Sequence, residues 1–124
     1  MKEALVQLRR DLPLAAITYV DVYSVKYSLF QHPEKYGFED PLVSCCGYGG
    51  KYKQSAAVGC GGTIEVNGTQ LFVDSCERPF ASVTWDGIHY TEAANKFVFN
   101  KISTGAFSDP PLPLKMACNR KELN

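Results

Sequence analysis

The chain has 124 residues, 45% of them hydrophobic, and its 13 basic side chains are matched by 13 acidic ones. That length supports one domain with a modest core, and the composition excludes general disorder. With basic clusters no longer than the pair Arg9-Arg10, there is no patch to gather phosphates, which excludes nucleic acid as a partner, and no apolar run is long enough to cross a bilayer.

The first segment, KEALVQLRRDLP, places Leu5, Leu8 and Leu12 on one helical face with charges opposite and ends at Pro13, so a helix is predicted. LAAITYVDV follows, rich in Ile, Val, Thr and Tyr, and reads as a buried strand; without a small-residue cleavage site it is not a signal-peptide core. SVKYSLFQH returns to a helical pattern and stops before Pro33. Helix, strand, helix is the order of an α/β sheet covered on both faces, although one strand does not make a sheet. Asp21, at the strand's end, stands where such sheets place ligands and equally where a helix needs a cap. His32, before Pro33, reads as a surface or capping side chain.

From PEKYGFEDPLVSCCGYGGKYKQ onward neither period persists, and a long loop is predicted, rich in Gly, Pro, Tyr and Cys and in need of cross-links. TIEVNGTQLF reads as two short strands joined at Asn67-Gly68, a pair suited to the positive φ angles of a type I′ turn. A last helix begins after Thr91, which can cap it, with Ala94, Phe97, Val98 and Ile102 as its buried stripe and Gly105 as its stop. The proline-rich FSDPPLPLKMAC then runs extended over the surface, with Cys118 pinning it. There is no internal repeat and no boundary dividing the chain, so residues 1–124 are taken as part of a single domain.

Cys45, Cys46, Cys60, Cys76 and Cys118 are many for a short cytosolic domain, and Asn67-Gly68-Thr69 is an acceptor sequence for N-glycosylation. Both point to a secreted, disulfide-bonded protein, yet the chain carries no export signal, which implies a longer parent. Were Cys118 left out, the other four cysteines would allow three disulfide pairings, which the sequence does not distinguish. A zinc site from Cys45, Cys46, Cys60 and Cys76 is disfavoured, because adjacent cysteines make awkward tetrahedral ligands, and no cofactor is expected.

The chemistry-bearing pair is Asp86 and His89 in WDGIHYTEAAN. A histidine base needs its second ring nitrogen held by an acceptor, usually a carboxylate, and residues three apart in a turn can meet. The spacing alone is a weak signal. Trp85 and Tyr90 flank the pair and read either as a pocket wall or as packing beneath the loop.

The longer string changes the weight. WDGIHYTEAAN resembles the last block of the plant GDSL esterases/lipases, of the SGNH hydrolase superfamily, and ITYVDVYSVKYSLFQHPEKYGFEDPLVSCCGYGGKYK, NGTQLFVDSCERP and GAFSDPPLPLKMAC fall in the order of that family's C-terminal part. The resemblance spans essentially the whole chain and extends to the secreted branch with nodulin-like, α-fucosidase-like and acetylesterase-like members. It implies the C-terminal portion of a three-layer α/β/α, flavodoxin-like fold and a serine hydrolase acting on carboxylic esters, of small molecules or glycans. Asp86 would orient His89, and His89 would activate the family's serine and then protonate the departing alcohol. The family's Gly-Asp-Ser block, and the glycine and asparagine of its oxyanion hole, do not occur here; Asp74-Ser75 follows Val73 and does not match. Because losing a nucleophile commonly costs about a millionfold in rate, the chain alone is expected to be inactive, with the N-terminal part of the same fold as its partner. An excised piece of a sheet also leaves apolar faces and strand edges uncovered. Cys60, among glycines in VGCGGT, is a poor substitute nucleophile, because the family pattern uses these cysteines as cross-links. The other reading is a non-catalytic extracellular module that binds glycans or a protein through the Tyr- and Gly-rich loop.

Overall fold

The computed structural model describes residues 2–119. Helices and strands are mixed along the chain, as an α/β protein requires. They fall into two units, one made from the chain's two ends, up to Val25 and from Phe99 onward, the other from Lys26–Val98.

In the first unit α1 spans Lys2–Asp11, matching the predicted amphipathic segment. It buries none of its residues, and Leu8 and Leu12 remain 47% and 49% exposed. Periodicity determines that a helix forms, but burial requires a facing surface. Strand β1 is only Tyr19–Val20, half-buried, shorter than the buried strand predicted over LAAITYVDV. Its length is set by its partner, the two-residue β4 (Ser108–Asp109), which pairs antiparallel with Tyr19 opposite Asp109. Arg9 ties the elements together: its guanidinium donates to the Ile17 carbonyl at 3.0 Å and to Asp109 Oδ2 at 3.1 Å. Asp21 is a helix cap, accepting the Ser24 amide at 3.0 Å and the Ser24 hydroxyl at 2.7 Å, and these two bonds, the hydroxyl's first, hold its pKa below the ordinary value. It opens α2 (Val22–Gln31), which ends just ahead of Pro33 as predicted. After β4 the tail is irregular from Pro110 to Pro113 and then closes into a 3-10 turn, Leu114–Asn119, anchored by the Leu114 amide on the Ser103 carbonyl at 3.0 Å. Cys118 lies on this turn, and its side chain falls outside the described residues.

The second unit buries Leu29, Phe38, Val73, Ala81, Val83, Ala94 and Val98. Phe97 adds ring contacts to Tyr36 and Phe38, at centroid distances of 4.7 and 6.3 Å. Strands β2 (Thr63–Val66) and β3 (Thr69–Phe72) form the predicted hairpin, with Asn67 at φ 51° and Gly68 at φ 77°, as a type I′ turn demands. Two disulfides select one of the three pairings: Cys46–Cys60 closes the long loop ahead of this hairpin, and Cys45–Cys76 joins the segments before and after it. The loop gains short regular pieces as well, among them a 3-10 turn at Pro33–Tyr36. Helix α3 spans Glu92–Ile102 and is capped by Thr91, whose hydroxyl accepts the Ala94 amide at 3.2 Å while donating to the Ser82 carbonyl at 2.6 Å.

Candidate active site

Residues 83–91 turn back on themselves directly before α3. The Thr91 amide donates to the Val83 carbonyl at 3.0 Å, Thr84 bridges Tyr90, and the Trp85 amide donates to the His89 carbonyl at 2.8 Å. Only Asp86, Gly87 and Ile88 remain for the tip, and Gly87 takes φ 91°, a left-handed conformation that glycine adopts without a Cβ penalty. Asp86 closes this tip from within. Its Oδ1 accepts the amides of Ile88 at 2.9 Å and His89 at 2.8 Å, the local bonding for which Asp is favoured in turns.

The same carboxylate reaches the imidazole, with Asp86 Oδ2 standing 2.7 Å from His89 Nδ1. Asp86 is held down from its ordinary pKa of 3.8 to about 2, first by the His89 amide and then by the His89 ring. A carboxylate ionised at neutral pH and facing Nδ1 fixes the hydrogen on that nitrogen, leaving Nε2 to take or give a proton. The Asp86 side chain is 22% exposed and the His89 side chain 72% exposed, so the ring stands at the surface over a sheltered acceptor.

An open cleft of about 720 Å³ is walled by Pro79, Phe80, Trp85, Tyr90 and Lys96, and two of these, Trp85 and Tyr90, are the chain neighbours of Asp86 and His89. Trp85 and Tyr90, both half-buried, are thus wall residues of this cleft. Tyr90 carries the Lys26 ammonium 4.7 Å from its ring centroid and has its phenol pKa raised by desolvation. Phe80, 66% exposed, sits under the Arg78 guanidinium at 5.5 Å, which is itself paired with Glu39 at 2.7 Å. Phe80 and Lys96 escape a sequence reading because Phe80 lies on a short 3-10 turn without period and Lys96 on the polar side of α3.

His32 lies outside this arrangement, 3.8 Å from Glu34. Cys45, Cys46, Cys60 and Cys76 are consumed in disulfides. Asn67 occupies the exposed tip of the β2–β3 hairpin. Among the described residues no three His, Cys, Asp or Glu side chains gather as a metal set, and no helix is long and apolar enough to cross a membrane.

Residues 1–102 match the family described as GDSL-like lipase/acylhydrolase. The chain is 60% identical to an esterase of Hevea brasiliensis over 98% of its own length and 32% of that protein's. It is 59% identical to the GDSL esterase/lipase ENOD8 of Medicago truncatula, over 98% of this chain and 31% of the relative. To alpha-L-fucosidase 3 of Arabidopsis thaliana it is 47% identical, over 98% of this chain and 31% of the relative. The chain thus spans about a third of the length of these curated relatives. No solved structure matches it.

Proposed function

The chain belongs to the GDSL-like lipase/acylhydrolase family, and from that premise we propose that it supplies the acid–base half of a carboxylic ester hydrolase. Asp86 orients the His89 ring and stabilises its protonated form; His89 Nε2 takes the proton from a serine hydroxyl as that oxygen attacks the ester carbonyl, and returns it to the departing alcohol. Water then repeats the cycle on the acyl-enzyme. The serine and its oxyanion donors come from polypeptide outside these residues, because no Gly-Asp-Ser occurs among them.

The observation that carries this reading is the 2.7 Å contact between Asp86 Oδ2 and His89 Nδ1, made by a carboxylate whose other oxygen is pinned by two backbone amides. A chance neighbour on a loop would not be so constrained. The largely apolar cleft walled by Phe80, Trp85 and Tyr90, the last two being chain neighbours of the pair, suits an acyl group or the face of a sugar ring, which makes acetylated glycosides and cell-wall glycans apt substrates. Two disulfides and an exposed Asn67 accord with a secreted protein glycosylated at that hairpin tip.

The test is reconstitution. The isolated chain should neither react with a serine-directed phosphonate nor turn over p-nitrophenyl acetate. Added to the remaining portion of a full-length relative, it should restore turnover, and His89→Ala should cut that restored rate on the order of a thousandfold. Robust turnover by the chain alone, or a reconstituted rate indifferent to His89→Ala, would refute the assignment.

A further inference from the structure

We propose that Gln54 is a positioning residue for the Asp86–His89 pair, an inference that rests on the acid–base reading above. The Asp86 carboxylate meets the ring only because the tip of the turn curls tightly enough for Oδ1 to reach the amides of residues 88 and 89 at 2.9 and 2.8 Å. That curl is braced from outside at two points, by one loop.

The first brace is backbone. The Cys45 amide donates to the Thr84 carbonyl at 2.9 Å and the Cys46 amide to the Trp85 carbonyl at 2.6 Å, fixing the chain immediately before Asp86. The second is the Gln54 side chain, which lies against the residue immediately after it. A methyl group built on Gly87 would come within 2.8 Å of Gln54 Cδ and 3.0 Å of Gln54 Nε2, so the amide group rests on the Gly87 α-carbon. The amide is anchored in turn: Nε2 donates to the hydroxyl of the fully buried Ser44 at 3.0 Å and stands 3.4 Å from the Leu42 carbonyl. The loop carrying Gln54 is closed by the Cys46–Cys60 disulfide and, with the turn's tip, surrounds a cavity of about 250 Å³ lined by Gln54, Cys60, Asp86 and Gly87 among others. Asp86 is therefore held between two fixed neighbours, which is how precise placement of a reacting pair is achieved on an exposed loop.

The experiment is ¹⁵N and ¹H NMR of the His89 ring in the 124-residue chain. The wild type should show a single tautomer, with a protected Nδ1–H resonance and a pyridine-type Nε2. Gln54→Ala should lose the Nδ1–H resonance and average the two ring nitrogens, while the amide resonances of the β2–β3 hairpin keep their dispersion and so report an intact fold. Gln54→Met, neutral and of similar length, should retain the signature by keeping the contact with Gly87; loss in Met as well as Ala also supports the proposal, locating the effect in the bond to Ser44. A residue that only adds stability would change the unfolding midpoint and leave the tautomer of the folded molecules unaltered, so a wild-type signature in Gln54→Ala overturns the proposal and leaves the acid–base reading standing. A wild type lacking the Nδ1–H signature, or Asp86→Asn retaining it, removes both.

Discussion

Replacing His89 with alanine separates the two kinds of contact that keep Asp86 ionised. In the wild type the carboxyl pKa is lowered from 3.8 to about 2, with the backbone amide of residue 89 the largest cause and the imidazole second. At about pH 3 the group is therefore about nine-tenths ionised, where an ordinary aspartate would be about one-seventh ionised. Because the folded-state value lies below the ordinary one, the carboxylate's contribution to folding is complete above 3.8 and is lost as pH falls toward about 2. His89→Ala removes the ring contact at 2.7 Å but leaves Oδ1 bonded to the amides of residues 88 and 89. The midpoint, followed through the Asp86 carboxyl ¹³C shift, should rise but stop short of 3.8. Full return to the ordinary value would mean that the turn does not hold its carboxylate independently of the ring. A wild-type midpoint near 3.8 would refute the geometry on which the acid–base assignment depends.

Thr91→Ala should destabilise the chain by about 2–3 kcal/mol in urea, since it removes the α3 cap and the donor to the Ser82 carbonyl at a buried position, whereas Thr91→Ser should cost much less. Peptide mapping without reductant should recover Cys45 joined to Cys76 and Cys46 to Cys60, and replacing both Cys46 and Cys60 by serine should lower unfolding stability by about 3 kcal/mol, the loop-closure term for a ring of that size. Gly105→Ala should cost at least about 2 kcal/mol by thermal unfolding, because φ there is 85° and the added methyl would run into the backbone of Leu112 and Pro113.

Local features were legible wherever the responsible chemistry is local. The Asn67-Gly68 turn, the Thr91 cap, the end of α2 before Pro33 and the start of α3 depend on residues a few positions apart, and the structure places them as the pattern predicts, although α2 begins at Val22, two residues earlier than its pattern. The Asp86–His89 spacing belongs with these, for three residues across a glycine turn bring the two side chains within reach, whereas the bracing of that turn by Cys45, Cys46 and Gln54 is not local. The shortness of β1 was hidden, because a ladder extends only as far as its partner, and that partner sits in a proline-rich tail nearly ninety residues away. The exposure of Leu8 and Leu12 was hidden for the same reason.

Sequence by itself therefore determined the family, the helical and hairpin segments, and the two residues that carry the proposed acid–base chemistry. Tertiary structure decided which cysteines join, that Phe80 and Lys96 share a cleft with Trp85 and Tyr90, and that Gln54 bears on the turn from thirty-three positions upstream of Gly87. The division follows from range: backbone capping and turn geometry are settled by neighbours along the chain, whereas packing and cross-linking depend on which distant surfaces the folded backbone brings within a few ångströms.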